Sequence, residues 1–143
     1  MLRARSILAA GLWVTLCVAP PAVAGGEQVV RFATLAPQGS TWMNLFNEWA
    51  RIAAQRSNNE LRLRFYPGGV MGDERDMVRK IRIHQIDGAA LTTVGLGIIY
   101  RPVLVLETPG LFETYAEIDA VRGRLREEFD RGFEHEGFVF LGW

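Results

Sequence analysis

The sequence predicts an α/β fold, a parallel or mixed sheet with helices on its faces, and two observations carry that expectation. Short apolar or β-branched runs alternate along the chain with longer stretches of helical periodicity. Glycine, proline and asparagine clusters punctuate the junctions between them. No internal repeat or low-complexity tract interrupts this order.

The elements follow in turn. Val29 to Thr34 is β-branched and apolar and predicts the first strand. It runs into Leu35-Ala36-Pro37-Gln38-Gly39, after which Ser40 or Thr41 caps a helix. Trp42, Leu45, Phe46, Trp49, Ile52 and Ala53 recur at helical spacing over residues 42–56, so this stripe is expected to face the core. Ser57-Asn58-Asn59 ends the helix. Leu61, Leu63 and Phe65 alternate with Arg62 and Arg64, the period of a strand with one wet face. Pro67-Gly68-Gly69 breaks it, and Asp73 caps a second helix buried through Met77, Val78 and Ile81. Gly88 to Thr92 predicts a short strand, followed by a glycine-rich turn through Thr93, Val94, Gly95 and Gly97. Val103 to Leu106 is another apolar run, closed by Thr108-Pro109-Gly110. A long helix from about Tyr115 to His135 turns Ile118, Val121, Leu125 and Phe129 inward, and Phe138 to Leu141 predicts a final strand.

Residues 1–24 precede all of this and have the order of an export signal. Arg3 and Arg5 lead a charge-free apolar run from Ile7 to Ala19, and Ala22-Val23-Ala24 supplies small residues for cleavage. The run is shorter than the roughly 20 residues that span a bilayer, and no second one follows. Cys17 follows the bulky Leu16, which does not suit lipoprotein processing. The expectation is cleavage after Ala24, export, and no membrane span in the mature chain. Residues 25–143 then suffice for one domain, not for two of usual size.

Composition narrows the function. The whole chain has 16 basic and 16 acidic groups, and losing Arg3 and Arg5 leaves a slight acidic excess. Interspersed charges of that balance give no footprint for nucleic acid. The one cysteine, Cys17, leaves with the leader, so neither a disulfide nor a thiol nucleophile is expected. His84 and His135 have no partner at i+3 or i+4 and read as residues near helix ends rather than zinc ligands. Neither Ser40 nor Ser57 lies in a nucleophile elbow. Asp73, Glu74 and Asp76 suit a first helical turn better than a metal. Gly68-Gly69-Val70-Met71-Gly72 lacks the lysine of a phosphate loop and opens onto acids, and Gly95-Leu96-Gly97 lacks a third glycine. The uncharged turn Pro37-Gln38-Gly39-Ser40-Thr41 differs. It either offers backbone donors to an anion or merely caps its own helix.

Taken together, Val30-Arg31-Phe32-Ala33-Thr34, the Trp42 helix and Leu63-Arg64-Phe65-Tyr66-Pro67-Gly68-Gly69-Val70-Met71-Gly72-Asp73-Glu74 resemble the amino-terminal half of a TRAP transporter solute-binding protein of the DctP type. The likeness continues through Ile86-Asp87-Gly88-Ala89-Ala90 and Glu107-Thr108-Pro109-Gly110-Leu111-Phe112, covering nearly all of residues 29–143. It implies a periplasmic-binding-protein-like lobe, the first of two, with the second missing from this chain. It also implies a periplasmic protein without enzymatic activity or cofactor. Such a protein captures a small organic acid and delivers it to a membrane permease.

Carried over position by position, the resemblance places ligand contacts in three regions. They are the turn after the first strand (Leu35, Gln38, Gly39), the turn after the third (Thr92, Thr93, Gly95), and the strand at Trp143. Relatives that take acidic sugars place polar or charged groups where Leu35, Thr92 and Gly95 stand, so a smaller or less polar acid is expected here. The arginine with which the family clamps a carboxylate falls beyond Trp143. Glycines 68, 69 and 72 match a structural turn and receive no binding role. Two other readings stand beside this one: an exported interaction module, and an exported enzyme whose catalytic half lies outside the chain.

Overall fold

A computed structural model describes residues 26–143; the export-signal reading of residues 1–24 lies outside them. The sheet has three strands, β1 (Gln28–Thr34), β2 (Leu61–Tyr66) and β3 (Gly88–Ala90), in the order β2-β1-β3. Both pairings are parallel, with Phe32 opposite Phe65 on one side and Gly88 on the other. Parallel neighbours require crossovers, and the sequence supplies them as α1 (Thr41–Arg56) and α2 (Glu74–Arg82). Beyond β3 come α3 (Thr93–Ile99), a 3-10 helix (Arg101–Glu107) and α4 (Tyr115–His135).

Successive residues of β1 point to opposite faces and so sort the helices. The Phe32 ring stacks on Phe65 at 5.5 Å and meets Trp49 of α1 at 5.4 Å. Ala33, next along, is buried with Met77 of α2 and Ile86. The sheet therefore lies between α1 and α2. A second core sits beside it, where Val78, Ile99, Val103, Leu106, Phe129 and Phe133 bring α2, α3, the 3-10 helix and α4 together.

Four local expectations change. The glycine-rich turn after β3 is the helix α3: Thr92 caps it, and two close approaches allow its glycines. A Cβ at Gly95 would lie 2.8 Å from the Glu74 carboxyl carbon, and one at Gly97 would lie 2.5 Å from Leu104. The apolar run at Val103–Leu106 belongs to the 3-10 helix, with Pro102 in its first turn. Phe138 to Leu141 is not a strand, because it has no sheet partner among the described residues. The segment instead lays Phe140 on Phe133 at 5.1 Å, and Val139 and Leu141 stay exposed.

The fourth concerns α1. Its one fully buried residue is Met43, whereas Trp42, Leu45 and Trp49 are 65, 57 and 40% exposed. Only one flank of the apolar stripe meets the sheet, and no described element covers the other. Phe46 and Phe65 stack at 5.1 Å on this side, leaving an aromatic face beside a groove of about 1310 Å³. The groove runs past the free edge of β3 to the segment ending at Trp143.

Candidate functional site

In a parallel sheet the loops leaving the carboxyl ends of the strands converge on one edge, where open α/β sheets bind their ligands. Here those ends are Thr34, Tyr66 and Ala90, with β1 central. Three segments leave that edge: Leu35–Ser40, Pro67–Gly72 and Leu91–Thr92.

Each is built by its own residues. After β1, the Thr34 hydroxyl accepts the Ala36 N–H at 3.2 Å, and the Ser40 N–H donates to the Pro37 carbonyl. The Ser40 hydroxyl then accepts the Met43 N–H at 3.3 Å, so Ser40, not Thr41, caps α1. After β2, Gly68 and Gly69 take left-handed φ of +64° and +72°, which favours glycine at both positions. Their N–H groups donate to the Ala36 and Thr34 carbonyls at 2.9 and 3.1 Å, which stitches the β2 turn onto the β1 turn. A Cβ on Gly69 would touch Leu35 at 3.4 Å. After β3, the Thr92 N–H and hydroxyl both donate to the Glu74 carboxylate, the hydroxyl at 2.8 Å.

The strap from Gly69 to Glu74 thus ties the two predicted contact regions together, bonded to the Thr34 carbonyl ahead of Leu35 at one end and to Thr92 at the other. Leu35 is 44% exposed, and Gln38 and Gly39 are exposed. Thr92 is exposed with its donors engaged, Thr93 is half-buried, and Gly95 is buried beneath the Glu74 carboxyl group. Trp143 lines the same groove as Thr92 and Thr93, from the segment that follows α4. Its ring packs edge-on against Phe140 at 4.8 Å and Phe129 at 6.0 Å, with the Arg122 guanidinium over it at 5.1 Å.

Sequence reasoning missed Glu74, which it assigned to the helix dipole along with Asp73 and Asp76. Those two do behave locally: Asp73 caps α2 by accepting the Asp76 N–H at 2.8 Å, and Asp76 pairs with Arg79 at 2.7 Å. Glu74 instead reaches across 18 positions of sequence, a contact no local pattern announces. Its charge has no ion-pair partner among the described residues.

Electrostatics elsewhere are structural. At the opposite end of the sheet Arg31 grips Asp87 through Nε at 2.9 Å and Nη2 at 3.1 Å, and the Arg31 N–H donates to the same carboxylate at 2.8 Å. These bonds hold the Asp87 carboxyl below the usual carboxylate range and raise the Arg31 guanidinium. His84 follows α2 with a left-handed φ of +57°, and His135 ends α4; both are exposed. Among the described residues no three His, Cys, Asp or Glu groups are placed to hold a metal ion, and no helix is long and apolar enough to cross a membrane.

The described residues can present backbone donors and hydroxyls to a small polar solute along one wall. Comparison with solved structures finds the same fold in periplasmic solute-binding proteins of TRAP transporters. One from Roseobacter denitrificans, with bound β-D-glucuronate, has a TM-score of 0.74 at 17% identity over 81% of this chain and 39% of its own. One from Ralstonia eutropha H16, with bound (S)-2-acetolactate, has a TM-score of 0.72 at 24% identity over 80 and 38%. One from Desulfovibrio salexigens, with bound orotic acid, has a TM-score of 0.70 at 19% identity over 78 and 36%. The chain thus spans less than two-fifths of the length of each of these. Comparison with curated proteins returns no match. Residues 32–143 match the DctP family, and with that match over most of its length the chain belongs to bacterial extracellular solute-binding protein family 7, a family of binding proteins rather than enzymes.

Proposed function

We propose that this chain is the first lobe of an exported, two-lobed binding protein that captures a small organic acid in the periplasm for a TRAP-type permease. The observation that carries the reading is the convergence of Leu35–Ser40, Pro67–Gly72 and Leu91–Gly95 at the carboxyl edge of a parallel sheet in a DctP-family chain. The solved relatives described above hold acids, which supports the ligand class. The exposed apolar Leu35 and the buried Gly95 favour a smaller or less polar acid than a uronate.

One wall leaves a ligand competing with water, whereas small-molecule sites bury most of their ligand. Residues 25–143 alone should therefore bind small mono- and dicarboxylates only in the millimolar range. In an NMR titration, amide shifts should gather at Leu35–Thr41 and Leu91–Gly95. Micromolar or tighter binding by the monomer would refute the two-lobe reading, and shifts confined to other regions would refute the site.

A further inference from the structure

We propose that Glu74 sets the ligand class at this site, by denying a second acid group to the Thr92 side of the edge. The inference rests on the binding role proposed above and adds a selectivity to it. Glu74 stands on the first turn of α2, yet its carboxylate lies over the start of α3, where it accepts from the Thr92 N–H and hydroxyl and covers Gly95. Two of the donors that the β3 loop offers are therefore already satisfied by an anion of the protein itself. No ion pair neutralises that anion among the described residues, since the nearby Arg79 is engaged by Asp76 and the Lys80 ammonium donates to the Met71 carbonyl at 2.8 Å.

The other side of the edge is different. From Leu35 to Asn47 the chain has no charged residue at all, and the first is Glu48, on the second turn of α1. The edge is thus polarised into a neutral side and an anionic side, joined by the Gly69–Glu74 strap. An acid that lies across it meets no fixed negative charge at Leu35–Thr41 and meets one at Thr92. The arrangement suits a monocarboxylate whose far end is a hydroxyl or another hydrogen-bond donor, because a carboxylate oxygen accepting from Thr92 keeps lone-pair capacity for one more donor. It disfavours a dicarboxylate, whose second charge would approach Glu74.

The test titrates residues 25–143 with (S)-lactate and with succinate by NMR, in the unaltered chain, in Glu74→Gln and in Glu74→Asp. Glutamine keeps an acceptor for the Thr92 N–H without the charge, whereas aspartate keeps the charge on a shorter stem. Amide dispersion verifies that each variant is folded, and the Thr92 amide reports whether the latch survives. Glu74→Gln should shift the lactate-to-succinate preference toward succinate by about fivefold, the effect of one unit charge about 4 Å away through water. Glu74→Asp should leave the preference near that of the unaltered chain even where the Thr92 amide moves. An unchanged ratio in Glu74→Gln, or equal shifts in both variants, overturns the inference while leaving the binding role intact. Absence of any response at Leu35–Thr41 and Leu91–Gly95 to either acid overturns both.

Discussion

Helix α1 offers a clean test of the packing, because its largest side chains and its buried side chain are different residues. Met43 is 2% exposed and Trp42, beside it in sequence, is 65% exposed. Truncating a fully buried methionine to alanine costs about 2–5 kcal/mol, and a helix with one open flank can relax toward the lower half of that range. For Trp42 only the covered third of the side chain counts, roughly 70 Å² of an indole. At about 25 cal/mol per Å² that area is worth at most about 2 kcal/mol, and the higher helix propensity of alanine returns about 0.5. Met43→Ala should therefore cost about 2–3 kcal/mol and Trp42→Ala about 1 or less. In a domain of this size that is a fall in Tm of about 10 °C against about 4 °C or less. Thermal and urea unfolding of residues 25–143 would measure both. Equal losses, or a larger loss for Trp42, would show that the outer flank of α1 is packed in solution and that the aromatic face described here does not exist.

Gly88→Val should destabilise the sheet by about 1–3 kcal/mol, with Gly88→Ala milder, because a Cβ there lies 2.5 Å from the Phe32 ring already wedged by Phe65 and Trp49; an unchanged urea midpoint for the valine variant would contradict the register. Arg31 lowers the folded-state affinity of Asp87 for protons, so their contact contributes stability above the ordinary aspartate pKa and loses it as the pH falls below about 4. Asp87→Asn should flatten that acid limb without altering the dependence near neutrality, and added salt should shrink the difference because the pair is over one-third exposed; an acid limb identical to that of the unaltered chain would rule the linkage out. Exported protein should begin at or within two residues of Gly25, and N-terminal sequencing that still reads Met1 would reject the cleavage.

Elements with local causes were legible in the sequence. The alternation of Leu61, Leu63 and Phe65 with arginines gave β2, and Asp73 before Met77 and Val78 gave α2 with its cap. What escaped depended on contacts distant in sequence. Helix α3 looks like a turn because two of its seven residues are glycines, and their reason for being small lies in Glu74 and Leu104. The stripe of α1 has the right period, but periodicity reports which residues share a face and not which flank another element covers. Phe138 to Leu141 has strand composition without a strand to pair with among the described residues. At the site, the uncharged turn after β1 could be read directly, whereas the Glu74–Thr92 latch arises only when α2 crosses over β1 to reach β3.

The exposed flank of α1 also makes the molecule its own optical probe. The described residues hold three indoles, and two of them, Trp42 and Trp49, share the aromatic face, while Trp143, half exposed, packs near α4. Water around the first pair sets the colour of their emission and leaves them open to collisional quenchers. Whatever comes to cover that face would dry both rings together and move the spectrum to the blue. Trp42, Trp49 and Thr92 line one groove, so a solute that filled it from the Thr92 side would be read by the same two rings.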